Sequence, residues 1–250
     1  QTDSLLQPSS PEVLLSIESS SNRAAIETVS WLNDNETIVF LGEHPGESHQ
    51  LYAFNIKTKV LKKLTNCPTS LLPYSSYGLS ADSHTIAYTA EEPIETLFDD
   101  KARREGFVVS TEWLPNLAIG KKGGVDDYNN LLFWQGQDRI AHRAILEGRI
   151  GPSGSTPYVS PDGKYVITST LVVDVPANWK EYKDPSIEQN VKEFAGKQHV
   201  SPLTRYELTF TSTGKSRILL DSPLGDSGSE VLWLPGSRSA VVTNTYLPLG

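Results

Sequence analysis

Residues 158–166 read Tyr-Val-Ser-Pro-Asp-Gly-Lys-Tyr-Val, which is an apolar pair, a polar turn and the first residues of an alternating strand. Pro161 fixes φ for the first corner of a turn, Asp162 can accept hydrogen bonds from the backbone that follows it, and Gly163 accepts a positive φ. Apolar alternation on both sides of such a turn is typical of a β-hairpin. The stretch therefore predicts two antiparallel strands joined at residues 161–164.

The same pattern occurs four times in the chain. A second hairpin follows the first and the third copies, at 50–65 and 206–220. Two successive hairpins supply four antiparallel strands, which is the unit of a β-propeller blade. The four repeat turns lie at 33–36, 81–84, 161–164 and 235–238.

The repeat predicts an all-β fold, a β-propeller of four-stranded antiparallel blades in a single domain over 1–250. Six to eight blades of about 45 residues need about 270–360 residues, whereas the chain has 250. We therefore expect an incomplete set, with three nearly whole blades and partial ones at the ends. The blades are expected to begin near residues 29, 77, 157 and 230.

Two segments interrupt the strand pattern, and we expect them to form helical inserts on one rim. The first covers 90–127, and the second covers 172–204. In the second, Asp184 can cap a helix and Pro185 suits its first position. A third short helix is predicted at 139–146. The apolar faces of the two inserts consist of Ile94, Leu97, Phe98 and Ala102, and of Ile187, Val191 and Phe194.

The repeat resembles that of TolB-like, WD-type propellers. Residues 158–166 are close to its signature, and Leu51-Tyr52 followed by Leu64-Thr65 matches its second half. Similar repeats form the N-terminal propeller of prolyl oligopeptidase and dipeptidyl-peptidase-IV-like serine peptidases, and residues 131–140 look like bacterial members of that group. The resemblance implies a propeller that covers the active site of a separate α/β-hydrolase domain and docks peptide.

The chain lacks a recognisable catalytic motif. A nucleophile elbow needs Gly-x-Ser-x-Gly on a sharp strand-to-helix turn, and no such string occurs. Residues 225–229, Gly-Asp-Ser-Gly-Ser, superficially resemble the serine motif of chymotrypsin-like proteases, but they lie between two predicted strands. We therefore expect a connecting loop there, a chain that is not itself an enzyme, and no cofactor.

The loop at 43–49 brings two imidazoles and two carboxylates close together in sequence. Glu43, His44, Glu47 and His49 could contribute ligands, and a metal site needs three or four that converge. A flexible polar turn is the favoured interpretation, and no metal is predicted.

Eight residues are candidates for binding a partner or a peptide. The Glu91-Glu92 pair follows the second-blade strand, and the family resemblance implies that such a pair can hold a free amine. The alternative is a solvated approach to the insert, since charged residues are mostly exposed. The basic residues either bind an anion or complement a helix end, and the aromatic residues form either an interface or the core of an insert. The candidates are Glu91, Glu92, Arg103, Arg104, Trp113, Trp134, Trp179 and Tyr182.

Composition excludes several classes of protein. Twenty-two Lys and Arg against thirty Asp and Glu give a net charge of −8, which argues against binding to nucleic acid because that affinity rests on basic residues. No apolar run approaches the roughly 20 residues of a membrane helix. Cys67 is the single cysteine, so no internal disulfide can form.

The sequence is compatible with two main functions. The first is the non-catalytic propeller of a prolyl-oligopeptidase-like serine peptidase, which gates or docks peptide substrate. The second is a TolB-like periplasmic scaffold that binds proteins and carries no hydrolase. A propeller glycosidase is a weaker third reading, since it needs two facing carboxylates. Because the chain starts at Gln1 and contains no Met, we expect a processed piece of a longer protein, periplasmic or secreted.

Overall fold

The structure is a computed structural model of the whole chain. It describes residues 10–19, 24–69, 71, 77–93, 104–106, 130–151, 154–197, 200–225 and 228–249.

Three four-stranded antiparallel sheets follow one another along the chain, and a two-stranded sheet comes after them. In each sheet the strands pair in chain order, as in a meander. The predicted all-β fold, an incomplete propeller of four-stranded antiparallel blades, is therefore confirmed. Sheet 1 contains β1 (Ile26–Trp31), β2 (Thr37–Gly42), β3 (Gln50–Asn55) and β4 (Val60–Lys63), and sheet 2 contains β5 (Gly78–Leu79), β6 (Ile86–Ala90), β7 (Leu131–Gln135) and β8 (His142–Arg143). Sheet 3 contains β9 (Tyr158–Val159), β10 (Tyr165–Val173), β11 (Val200–Phe210) and β12 (Ser216–Ile218), and sheet 4 contains β13 (Val231–Trp233) and β14 (Ala240–Val242).

The sheets pack face to face because both faces of each central strand are apolar. In β2, Val39 and Leu41 pack towards sheet 2, whereas Phe40 between them points to the opposite face. The next interface joins sheets 2 and 3 through residues such as Trp134 and Val166, and the last joins sheets 3 and 4. Each sheet therefore depends on its neighbours to bury its apolar surface.

Two of the repeat turns are held by the same set of polar side chains. Asp82 Oδ1 accepts hydrogen bonds from Ser80 Oγ at 2.6 Å and from the His84 N–H at 2.9 Å, while the Thr85 N–H donates to Ser80 Oγ at 2.9 Å. The turn at 161–164 has the same three bonds, made by Ser160 and Asp162. The shared motif is thus Ser-x-Asp, whose hydrogen bonds close the hairpin.

The four repeat turns contact one another in succession. The Asn33 side-chain amide donates to the Ala81 carbonyl, and the Ala81 N–H donates to the Pro161 carbonyl at 3.1 Å. The Asp162 N–H in turn donates to Ser237 Oγ at 2.9 Å. The turns therefore form a continuous line along one edge of the stacked sheets, which we call the turn edge.

A buried carboxylate joins sheet 3 to the segment that follows sheet 2. Glu207 on β11 is fully buried, and its oxygens accept hydrogen bonds from the N–H groups of Glu147 at 2.9 Å and Gly148 at 2.6 Å. Thr170 Oγ1 donates to the same side chain at 2.8 Å. These three donors replace the water that the carboxylate loses on burial.

The second insert contains the helix that the sequence predicts. Helix α1 (Pro185–Phe194) begins after Asp184, whose carboxylate accepts hydrogen bonds from the N–H groups of Ser186 and Ile187. A short 3₁₀ helix, Ala177–Tyr182, precedes it. The insert itself is shorter than 172–204, because β10 continues to Val173 and pairs there with Val200.

The helix predicted at 139–146 is wrong. This segment contains β8, in which His142 and Arg143 pair with Trp134 and Phe133 of β7. The His142 ring also stacks on the Trp134 ring at 5.4 Å. Pairing within the sheet thus outweighs local helix preference. The predicted helical face at 94–102 lies outside the described residues.

Replacing Ser160 with alanine tests the hydrogen bonds of the repeat turn. We expect the free energy of unfolding to fall by about 1–3 kcal/mol, because the Tyr165 N–H and the Asp162 carboxylate both lose a buried partner. Urea unfolding monitored by circular dichroism measures the change. Ser212→Ala, at an exposed turn position, should change stability by less than about 0.5 kcal/mol. Equal effects of the two substitutions would contradict this role.

The aspartates of the repeat turns should also make the stability of the fold depend on pH. Hydrogen bonds to their carboxylates, chiefly from Thr37 to Asp34 and from Ser80 to Asp82, hold the pKa of each below its usual value. A pKa that is lower in the folded state adds stability above the unfolded pKa of about 4, and this stability disappears as the pH falls further. The urea midpoint should therefore drop between about pH 5 and pH 2, and less steeply in an Asp82→Asn variant.

Candidate functional site

The two inserts leave the stacked sheets from the same edge. Both connect the second strand of a sheet to the third, the first after β6 and the second after β10. In an antiparallel meander this connection lies opposite the turn between the first and second strands. Because the repeat turns line the turn edge, the inserts and the loop at 43–49 share the opposite edge, which we call the insert edge. Among the described candidates, Glu91, Glu92, Trp179 and Tyr182 belong to connections at this edge.

The second insert has its own small core at this edge. Trp179 is completely buried, and it packs with Ile187, Val191 and Leu203. Tyr182 donates its hydroxyl to the Leu247 carbonyl at 2.9 Å, and Tyr246 donates to Asp184 at 2.8 Å. The insert is therefore fixed both to the β10–β11 hairpin and to the segment after β14.

The structure separates the candidate aromatic residues into two groups. Trp179 belongs to the insert core, and Trp134 is buried between sheets 2 and 3, so neither ring offers surface to a partner. Tyr182 is half-buried, with its hydroxyl already bound. Arg104 is exposed, whereas Trp113 and Arg103 lie outside the described residues.

The glutamate pair lies at the start of the first insert. Glu91 and Glu92 directly follow β6 and are both half-buried. The Glu91 carbonyl accepts a hydrogen bond from Thr69 Oγ1 at 2.6 Å, which connects the pair to the segment that follows β4. The backbone of this pair is thus held in place at the insert edge.

The segment that follows β4 is itself anchored by a buried glutamine. The Gln50 side-chain oxygen accepts hydrogen bonds from Thr65 Oγ1 at 2.8 Å and from the Cys67 N–H at 2.9 Å, and its amide donates to the Cys67 carbonyl at 2.9 Å. The sequence gives no indication of this anchor, because Gln50 appears there as an ordinary polar residue at a strand end.

The loop at 43–49 is a polar turn whose side chains contact one another and the neighbouring strands. Glu43 and His49 are both buried, and Glu43 Oε2 lies 3.4 Å from His49 Nε2. Glu47 accepts hydrogen bonds from Lys63 and from the Tyr52 hydroxyl, and these bonds lower the pKa of its carboxyl group. His44 contacts the Tyr52 ring edge-on. Among the described residues, no three His, Cys, Asp or Glu side chains converge as metal ligands.

A hydroxyl-lined pocket of about 300 Å³ lies at the insert edge between sheets 3 and 4. Burial raises the pKa of Tyr206 to about 12. Ser155 Oγ is bonded to Ser169 and to Thr168. The pocket offers hydrogen bonds, and Gly225, Gly228 and Ser229 border it. Asp226 and Ser227 lie outside the described part of the chain. Its polar lining consists of Ser155, Thr156, Tyr158, Ser169, Thr204, Tyr206 and Ser229.

A larger cleft of about 650 Å³ lies between sheet 3 and the two strands of sheet 4. Its walls include Leu208, Phe210 and Trp233, and its charged lining residues are Arg217 and Arg238. The sequence pattern did not single out these residues, since each one reads as part of a strand or a turn.

None of the described helices is long and apolar enough to cross a membrane.

No family model and no curated protein sequence matches the chain. Solved structures do match. TolB from Acinetobacter baumannii is 12% identical with a TM-score of 0.43, over 89% of this chain and 43% of that one. A putative TolB from Agrobacterium tumefaciens is 12% identical with a TM-score of 0.41, over 82% and 51%. A structure from a study of two prolyl endopeptidases is 16% identical with a TM-score of 0.41, over 87% and 29%.

The chain thus spans about half or less of the length of these structures. The resemblance to TolB-like propellers and to prolyl-oligopeptidase-like peptidases, which the repeat sequence indicates, is found in structure as well. The assignment of the fold rests on the four sheets themselves and on their turns.

Replacing Trp179 with alanine tests whether the insert depends on its own core. Large-to-small substitutions of buried aromatic residues cost about 3–5 kcal/mol, which should open the insert before the sheets. Hydrogen exchange should lose protection over 177–194 and keep it in β10 and β11. Tyr182→Phe, which removes only one hydroxyl, should leave the pattern unchanged. Protection that falls equally in the sheets would contradict a separate insert core.

Proposed function

We propose that this chain is the non-catalytic propeller region of a prolyl-oligopeptidase-like serine peptidase, where it docks peptide substrate and limits access to a hydrolase domain. The proposal rests on the resemblance of the repeat and on one structural observation. Both inserts leave from the same edge of the stacked sheets, so a single surface can face a substrate or a second domain. Loops held by a rigid scaffold are where binding residues concentrate.

The insert edge is well suited to such a role because the second insert and the first residues of the first insert are held by hydrogen bonds. Asp184 both caps α1 and accepts the Tyr246 hydroxyl, and the Thr69 hydrogen bond holds the backbone at Glu91. A docking surface that is ordered before binding loses less conformational entropy when the partner arrives. This supports recognition of a peptide by the edge rather than by a segment that folds on contact.

Glu91 and Glu92 are the residues that we assign to the peptide amine. Two carboxylates that both bind one ammonium group form charge-assisted hydrogen bonds with it, and an N-terminal ammonium group is the cation that a peptide carries. We assign Arg104, which is exposed on the same connection, to the carbonyl or carboxylate groups of the peptide. Trp113 and Arg103 belong to the same connection and stay candidates.

The alternative is a TolB-like periplasmic scaffold that binds a folded protein and has no hydrolase. The hydroxyl-lined pocket favours it, since Tyr158, Tyr206 and Ser229 offer polar groups at the insert edge without a charge. The gene sequence beyond residue 250 distinguishes the peptidase propeller from the scaffold. A Gly-x-Ser-x-Gly with a downstream Asp and His supports the peptidase, and an open reading frame without them supports the scaffold.

Binding of a labelled peptide tests the glutamate pair. A peptide with a free N-terminus, an internal proline and a C-terminal amide that carries fluorescein should bind, as measured by fluorescence anisotropy. Acetylation of its N-terminus and the Glu91→Gln/Glu92→Gln variant should each weaken binding about tenfold, which is the loss of about 1.4 kcal/mol. Glu193→Gln, an exposed charge on α1, is the matched control. Unchanged binding in both cases would rule out amine recognition.

Hydrolysis by the purified chain is the second test. The proposed role predicts no turnover of a prolyl p-nitroanilide substrate or of an activated ester, because the nucleophile belongs to another domain. Turnover that exceeds the rate in buffer alone and that co-purifies with the chain would overturn the non-catalytic role.

A further inference from the structure

The interface between sheets 1 and 2 contains a pocket of about 270 Å³. Both of these sheets are four-stranded. The floor of the pocket is apolar and is formed by residues of both sheets, most of which are half-buried and keep surface that a ligand could cover. The apolar residues that line it are Leu32, Val39, Ala53, Leu64, Leu79 and Ile86.

The pocket exists because a small residue occupies a position that is tryptophan in the next sheet. Val39 and Ala87 are equivalent, since each lies five residues after the aspartate of its repeat turn. Val39 pairs with Ala53 on β3. Ala87 pairs with Trp134 on β7, and the Trp134 ring packs so closely against sheet 3 that a Cβ on Gly214 would lie 2.9 Å from it. The alanine leaves the corresponding space open between sheets 1 and 2.

Hydrogen bonds join the walls of this pocket. The Gln135 side-chain amide of β7 donates to the Leu64 carbonyl, which follows β4, at 2.9 Å. The Gln137 side-chain amide lies 2.7 Å from His84 Nδ1 and joins two turns of sheet 2, 81–84 and 136–139. Both turns lie at the turn edge, because the first and third connections of a meander share one end. A pocket whose walls are joined before the ligand arrives loses less conformational entropy on binding.

The rim of the pocket is positively charged. Lys62 on β4 and Arg139 in the turn at 136–139 both line it and are exposed, and no carboxylate is among its described lining residues. Within the described part of the chain neither side chain forms a salt bridge, although other lysines of sheet 1 do. His84 completes the rim, and its Nδ1 lies 3.2 Å from Asp82 Oδ2, which leaves Nε2 for a ligand. These groups favour an anion.

We propose that this pocket binds a small organic acid, a monocarboxylate with a compact aromatic or branched aliphatic body. The body lies between the sheets, and the carboxylate is held by Lys62, His84 and Arg139. The volume is close to the lower end of the range of about 300–1,000 Å³ for small-molecule sites, which suits a single ring. The site lies at the opposite edge from the glutamate pair and does not depend on the function proposed above.

Titration of the 250-residue chain with 3-phenylpropanoate, followed by ¹⁵N–¹H NMR, tests the proposal. The amide signals of 83–86 and 135–139 should shift and saturate, and those of the second insert at 177–194 should not. The neutral 3-phenylpropanamide should bind at the same residues about fivefold more weakly, because each exposed cation adds a modest interaction with the carboxylate. The absence of saturable shifts with the acid, or shifts confined to other residues, would overturn the proposal.

Removal of the two permanent charges tests the rim. The Lys62→Gln/Arg139→Gln variant should bind 3-phenylpropanoate about fivefold more weakly and 3-phenylpropanamide as before, so that the preference for the acid disappears. Lys192→Gln/Lys215→Gln removes the same charge from exposed positions elsewhere and is the matched control. An unchanged preference for the acid in the first variant, or an equal loss in the control, would show that these two residues do not hold the carboxylate.

A larger residue at position 53 tests the pocket itself. Ala53→Trp places in sheet 1 the residue that sheet 2 has at the equivalent position, and it should weaken the binding of both the acid and the amide at least about tenfold, because the apolar body loses its space. Urea unfolding shows whether the variant is folded, and Ala53→Leu, which adds less volume, replaces it if it is not. Unchanged binding in the folded variant would overturn the pocket as the site.

The Glu91→Gln/Glu92→Gln variant separates this site from the proposed function. It should bind 3-phenylpropanoate like the unmodified chain, because the pair lies at the insert edge. Loss of acid binding in that variant would overturn the assignment of the acid to the pocket between sheets 1 and 2.

Discussion

Each four-stranded sheet of this protein has two apolar faces, and a sheet cannot bury either face by itself. This constraint explains why the repeats stack. Val39 and Leu41 are covered by sheet 2, and Ile167 and Leu208 pack towards sheet 4. At the free face of sheet 1, where no other sheet packs among the described residues, Leu15 and Ile17 lie against Phe40 and its neighbours. The remaining elements cover these apolar faces and leave the turn edge and the insert edge without a sheet packed on them.

The polar groups decide how the stacked sheets are aligned. Apolar packing is non-directional, so it could tolerate small slips of one sheet against the next. The bonds from Asn33 to Ala81, from Ala81 to Pro161 and from Asp162 to Ser237 permit one alignment of the turns. As a consequence, the opposite ends of the strands are aligned too, and connections far apart in sequence emerge side by side.

The local chemistry of the turns and strands could be predicted from the sequence, because it depends on residues a few positions apart. The repeat at 158–166 and the Asp184 cap of α1 belong to this class. What could not be predicted depends on contacts between distant residues. The strand at His142 exists because Trp134 and Phe133 lie beside it, and the buried pair of Glu43 and His49 looks in sequence like any polar loop. The sequence named Trp134 and Trp179 as possible contacts, but it does not reveal how deeply they are buried.

The carboxylate of Glu207 shows how one buried charge can make separate repeats behave as a unit. Its donors come from Thr170 in its own sheet and from the backbone at Glu147 and Gly148, which follows the neighbouring sheet. If that neighbour alone came apart, the charge would stay in a dry interior without those donors, which is a state of high free energy. Partly melted arrays are therefore disfavoured at this junction. A boundary that looks modular in sequence is a poor place to divide the protein or to exchange one repeat for another.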